Sequence, residues 1–333
     1  MKNTFKYIFF TATFFAALVS SSCETSSSYE DEQPSIAGIA VSNPDFSTLE
    51  AAAVYGNVAA VLSTSNPGDP SGDYTVFAPN DFAFARLGLN ESTIGVLKQQ
   101  FLTNALLYHV SNGNLKGSSI QDGGTSSSAL NGLTRRFIAR DGDLFINGSK
   151  ILATDISAQN GTVHVIDKVM IATGGNVVES AIALQSAQVF QTPELSFLVE
   201  AVLYAELADA LSNPDANFTV FAPNDQAFIN LGAALGLTWT QPSDVRQLDK
   251  DLLTAVLLNH VFADVSADKF TSELNAGVYD ALGDDNITLG DYNNGVLTVS
   301  GSGNASPANM VIPDVQTTNG VVHVIDQVLL PVL

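Results

Sequence analysis

Leu195, Leu198, Val199, Val202, Leu203 and Leu207 recur at three- and four-residue spacing, which predicts a helix with one apolar stripe. Ile94, Leu97, Phe101, Ala105 and Tyr108 repeat that spacing upstream and predict a second. Elsewhere the period changes. Residues 137–140 and 144–146 flank Asp141-Gly142, the pair favoured in a two-residue hairpin turn. In residues 162–169, Val163 and Val165 alternate with Thr162, His164 and Ile166, so a strand with apolar groups on both faces is expected. Helical signals come early and strand signals late, which argues for an α+β fold rather than repeated βαβ units.

The same signals occur twice because the chain is duplicated. Thr75-Val-Phe-Ala-Pro-Asn-Asp-Phe-Ala-Phe84 returns as Thr219-Val-Phe-Ala-Pro-Asn-Asp-Gln-Ala-Phe228, nine of ten positions identical. Asn160-Gly-Thr-Val-His-Val-Ile-Asp-Lys-Val169 returns as Asn319-Gly-Val-Val-His-Val-Ile-Asp-Gln-Val328, eight of ten identical. From Asp81 to His109 is 28 residues but from Asp225 to His260 is 35, so the second copy gains seven near residues 232–249. It gains eight more near 283–307, and both insertions are expected in surface loops. Ala172-Thr-Gly-Gly175 has the composition of a short joint between the copies.

Charge narrows the function. With 13 Lys+Arg against 34 Asp+Glu, the formal net charge is −21, which repels phosphate backbones and nearly excludes nucleic-acid binding. Lys2 and Lys6 precede an apolar run at residues 8–19, whose roughly 12 residues fall short of the ~20 that span a bilayer. Small residues then lead to Cys23, the only cysteine. Residues 1–22 therefore read as an export signal. The arrangement is similar to a bacterial lipoprotein signal, with Cys23 as the lipid-attachment residue, although Ser20 stands where that signal usually has Leu. An ordinary secretory signal that leaves a free thiol is the alternative. Residues 23–35, acidic and Ser-rich, read as a tether.

Candidate chemistry is sparse. The four histidines, His109, His164, His260 and His323, occupy repeat-equivalent positions. A metal or acid–base site with Asp81 or Asp167 is one reading. Structural imidazoles bonded to backbone or carboxylate are the favoured one, since no His-x-x-x-His spacing occurs. No Gly-x-Ser-x-Gly elbow is present, so no catalytic residue, metal or cofactor is assigned. The loop at 283–295, with Asp284, Asp285 and Asp291, lacks a calcium-loop pattern and reads as a solvated hairpin.

At both signatures the chain resembles the fasciclin-domain family, and Tyr108-His109 is similar to that family's Tyr-His pair. The resemblance covers residues 36–172 and 176–333. It implies two domains, each a wedge of about seven strands with packed helices, an extracellular or surface location, and adhesion without catalysis. Physically, the first signature is a strand turning into a helix, with Asn80 or Asp81, and Asp225 in the second copy, available as caps. In animal relatives the Tyr-His segment is linked to receptor binding. Tyr108 and His109, with Asn259 and His260 in the second copy, are therefore the expected partner-binding positions, centred on an exposed Tyr108 at residues 108–115. Inward packing of Tyr108 is the open alternative. The combined expectation is a non-enzymatic lipoprotein, exported and lipid-anchored at the bacterial cell envelope, at the outer membrane or cell surface. Only the lipid would touch membrane. The partner would be an extracellular or surface protein or glycan; capture of a glycan or solute is the alternative function.

Overall fold

The computed structural model describes residues 33–130, 133–186, 194–263, 268–283 and 285–332. Cys23, the residues read as an export signal, most of those read as a tether, and Asp284 lie outside them. From Gln33 onward the chain forms one compact unit.

The first copy opens with α1 (Ile36–Ser42), α2 (Ser47–Tyr55) and α3 (Ala59–Leu62). Then come β1 (Tyr74–Pro79), α4 (Asp81–Ala85), α5 (Gln99–Tyr108), β2 (Val110–Asn112) and β3 (Thr125–Ser127). The late strands are β4 (Thr134–Arg140), β5 (Asp143–Ile146), β6 (Ser149–Ala158) and β7 (Gly161–Ile166). Seven strands lie in the order β2-β1-β7-β6-β5-β4-β3, with β1 and β7 parallel and the other pairs antiparallel. Two-residue turns join β4 to β5, β5 to β6 and β6 to β7. Asp141 and Gly142 join β4 to β5, both with φ > 0 as the sequence predicts. The strand through His164 is buried along nearly its whole length. Gly161 holds φ +146 beside Tyr74, where a Cβ would lie 1.9 Å from the Tyr74 carbonyl oxygen, so no other residue fits at this crossing.

A two-residue strand, β8 (Ile171–Ala172), follows, and it pairs in parallel with the second copy's sheet. The second copy repeats the order. Its elements are α6 (Val177–Leu184), α7 (Ser196–Tyr204), α8 (Ala208–Leu211), β9 (Phe218–Pro223), α9 (Asp225–Ala234), α10 (Lys250–Leu258) and β10 (Val261–Ala263). The strands β11 (Gly277–Asp280), β12 (Asn286–Leu289), β13 (Thr298–Gly301), β14 (Ala308–Gln316) and β15 (Gly320–Ile325) complete it. Their order, β10-β9-β15-β14-β13-β12-β11, matches the first sheet.

Both predicted helices form, with shifted bounds. Ile94 lies in a 3-10 turn and α5 begins only at Gln99; Leu207 precedes α8 rather than ending α7. The first insertion is no surface loop throughout. It lengthens α9 to ten residues against five in α4, and it folds Trp239 into the core, 3 % exposed and stacked on Phe197 at 6.4 Å.

Candidate functional site

The residues singled out by the sequence are interior. Tyr108, His109, Asn259 and His260 are all buried, so Tyr108 is not exposed and the alternative of inward packing holds. The cause is packing. The helix α5 delivers Tyr108 beneath the sheet, among Phe77, Phe137 and Ile146, and burial pushes the phenol pKa up so that it stays protonated. Its hydroxyl donates to Gln316 of the second copy and accepts from Asn147 Nδ2 at 2.8 Å. Asn259, its counterpart, packs inside the second copy, with Nδ2 3.4 Å from the Leu329 carbonyl.

Each histidine has both ring nitrogens satisfied by backbone. His109 Nδ1 donates to the Ala105 carbonyl at 2.7 Å and Nε2 accepts from Met170 N–H at 2.9 Å. His260 repeats this with Val256 and Leu329, each at 2.7 Å. His164 Nε2 meets the Leu115 carbonyl at 2.9 Å, and His323 Nε2 the Lys269 carbonyl at 3.0 Å. Their Nδ1 atoms accept from Asp155 and Asp314 N–H. Burial pulls His109 and His260 down to about 4, and lowers His164 and His323, so all four are neutral connectors at neutral pH. Among the described residues no group of three or more His, Cys, Asp or Glu is placed to hold a metal.

The first-signature aspartates act differently from expected. Asn80 and Asn224 cap their own helices, accepting from Ala83 and Ala227 N–H at 2.9 Å. Asp81 reaches back to another helix start, accepting from Thr48 N–H and Ser47 Oγ at 2.8 Å each; Asp225 accepts from Phe197 N–H at 2.9 Å. Each carboxylate thus pins α2 or α7 to the end of the signature strand.

Two features were not foreseen. The first is a charged joint between the copies. Lys168, 5 % exposed, donates to Asp314 Oδ2 at 2.7 Å, Thr271 Oγ1 at 3.0 Å and the Gly295 carbonyl at 2.7 Å. Burial alone would raise the Asp314 pKa, yet Lys168 and the Thr271 N–H hold it below its ordinary value. Arg136 forks onto Glu273 and Asp268 and lies 4.6 Å from the Phe270 ring centre. Arg140 donates to the Leu274 carbonyl and lies 4.2 Å from the centre of Tyr292. Arg86 bonds Asn294 through both terminal nitrogens. Tyr292, Asn294 and Gly295 belong to the loop read as a solvated hairpin. That loop is instead a clasp on the first copy.

A signal for this joint exists in the sequence. Lys168 and Arg86 correspond to Gln327 and Asn230 in the second copy, while Asp268 and Glu273 correspond to Asn114 and Ser119 in the first. At these four positions the charge is on the copy that uses it across the joint, and the counterpart is neutral.

The second feature is a pair of apolar grooves at equivalent places. One, about 70 Å³, lies between α1 and α2 over Val76, Ala78 and Val163; the other, about 50 Å³, lies between α6 and α7 over Val220, Ala222 and Val322. Their helices are held alike. Asn160 Oδ1 accepts from Ile36 N–H and Asn319 Oδ1 from Val177 N–H, each at 2.9 Å. Exposed Val41 and Val54 rim the first groove, and Ile182 and Leu203 the second.

Comparison with known proteins agrees with this architecture. The fasciclin domain is matched at residues 44–172 and again at 193–331, and the chain belongs to that family. Human periostin is 28 % identical over 270 residues, covering 78 % of this chain but 28 % of periostin. Pig transforming growth factor-beta-induced protein ig-h3 is 28 % identical over 265 residues, covering 78 % of this chain and 35 % of that protein. The chain thus spans about a third of those relatives' lengths. Protein sll1483 of Synechocystis is 35 % identical over 143 residues, covering 42 % of this chain and 75 % of sll1483. A solved fasciclin-domain pair from the insect cell adhesion molecule fasciclin I aligns over 78 % of this chain and 88 % of that one, at 20 % identity and a TM-score of 0.39.

Proposed function

We propose that this chain is an exported, lipid-anchored surface protein whose two fasciclin domains act together as an adhesion or interaction module. The observation that carries this reading is the joint. It joins the copies into one compact unit, so two equivalent apolar grooves are offered at a fixed spacing, and linked weak sites gain avidity when geometry lets both engage. Anchoring rests on Cys23 and the residues before it. Glycan capture is less favoured because Trp239, the one tryptophan, is buried and offers no stacking platform.

The test separates anchor from module. Cys23→Ala is expected to abolish fatty-acid labelling and release the chain from membranes, while the released chain still adheres when coated on beads. Continued labelling would overturn the anchor. Beads that bind no cell surface or extracellular protein, though the chain is folded, would overturn the module.

A further inference from the structure

The two grooves are duplicates with different rims, and the difference points to a ligand. Ala37 and Ala53 flank the first groove where Val178 and Val202 flank the second, which accounts for its larger volume. At the next rim position Glu50 stands where the second copy has Val199. On the far side of α2 a shallow basin shares Glu50 and Val54 with the groove and adds Glu91. No lysine or arginine lines either depression. The first copy therefore offers a slot sized for one large side chain, beside two carboxylates unopposed by cations at the rim, on a chain of net charge −21.

We propose that the α1–α2 groove of the first domain docks a basic amphipathic helix from a partner protein. A leucine- or phenylalanine-sized side chain would enter between Ala37 and Ala53, and a Lys or Arg one turn along would sit over Glu50 and Glu91. Helix-in-groove recognition places such anchors on one face, three or four residues apart. The second groove, narrower and with Val199 at the rim, binds the same helix less tightly. This deepens the module reading above and rests on it for biological meaning, though not for its chemistry.

The probe is a fluorescent helix of about 14 residues made of leucine and lysine, with its leucines on one face. The anisotropy of this probe is measured against the chain from Gln33 onward, in low and high salt. Binding is expected, weakening at least tenfold in Ala53→Trp, which fills the slot. Glu50→Val, which installs the second copy's residue on a half-exposed position, should keep the melting temperature but lose most of the salt dependence. Val199→Glu should raise the second groove's affinity several-fold. Binding unchanged by both Ala53→Trp and Glu50→Val would overturn the proposal, since it would reflect diffuse charge attraction. Equal binding of a leucine–glutamate helix, or preference for neutral phosphatidylcholine vesicles over the helix, would overturn it too. Beads that adhere through Ala53→Trp chains as well as wild type sink the groove but not the module. Peptide binding at the groove by a chain that adheres to nothing sinks the module but not the groove.

Discussion

The two copies keep one skeleton and differ where they meet. Shared positions do interior work: the Asn-Asp corner of the first signature, the four backbone-bonded histidines, and the asparagines Asn160 and Asn319 that fasten the leading helices. Divergent positions build the joint. Lys168 faces Asp314 across it, but Gln327 at the same place in the second copy bonds Ser306 and Pro307 of its own domain. Tyr108 spans to Gln316, whereas Asn259 stays at home. Duplication supplied two stable wedges, and divergence of a few polar positions made them a pair.

Removing what the copies share should cost most. His109 and His260 fall to about 4 in the folded chain against about 6.5 when unfolded, so the unfolded state binds more protons as pH falls between those values. Stability is therefore full above pH ~6.5 and lost on acidification, by about 2.7 kcal/mol per pH unit for two histidines and on the order of 6 kcal/mol by pH 4. Urea midpoints across that range check this; a flat profile would show that the histidines titrate normally.

Breaking the joint comes next. Lys168→Ala leaves Asp314 buried without its cation and should cost about 3–5 kcal/mol, whereas Gln327→Ala at the matching place should stay within about 0.5. Denaturant melts of the two variants side by side sharpen the comparison, and equal losses would break it. Tyr108→Phe deletes one hydroxyl between Gln316 and Asn147 and should cost about 1–3 kcal/mol. A double-mutant cycle with Gln316→Ala reads that coupling. The smallest effect is expected at Arg246 and Glu200, an ion pair within the second copy 2.6 Å long whose arginine is half exposed, where Arg246→Ala should cost under about 1 kcal/mol.

Much of this was legible in the chain. The duplication, the α+β order, the Asp141-Gly142 hairpin and the two-sided strand through His164 follow from local period and turn chemistry, which tertiary contacts here reinforce. The partner of Asp81 was not, because a helix start 33 residues upstream has no local signature. The inward turn of Tyr108 was legible only as one of two readings: an aromatic at a helix end reads as anchor or core until the next domain is placed over it. Trp239 shows the same limit, since an insertion reads as loop until the cavity it fills is known. The joint itself left its trace as mismatches between the copies, most plainly Lys168 against Gln327 inside a signature otherwise almost identical.

The coupling of the copies is tested most directly by calorimetry of the chain from Gln33 onward, wild type against Lys168→Ala. A joint that locks the copies gives one wild-type transition whose calorimetric and van't Hoff enthalpies agree, splitting into two in the variant. Two separate transitions already present in the wild type, unchanged by Lys168→Ala, would contradict it.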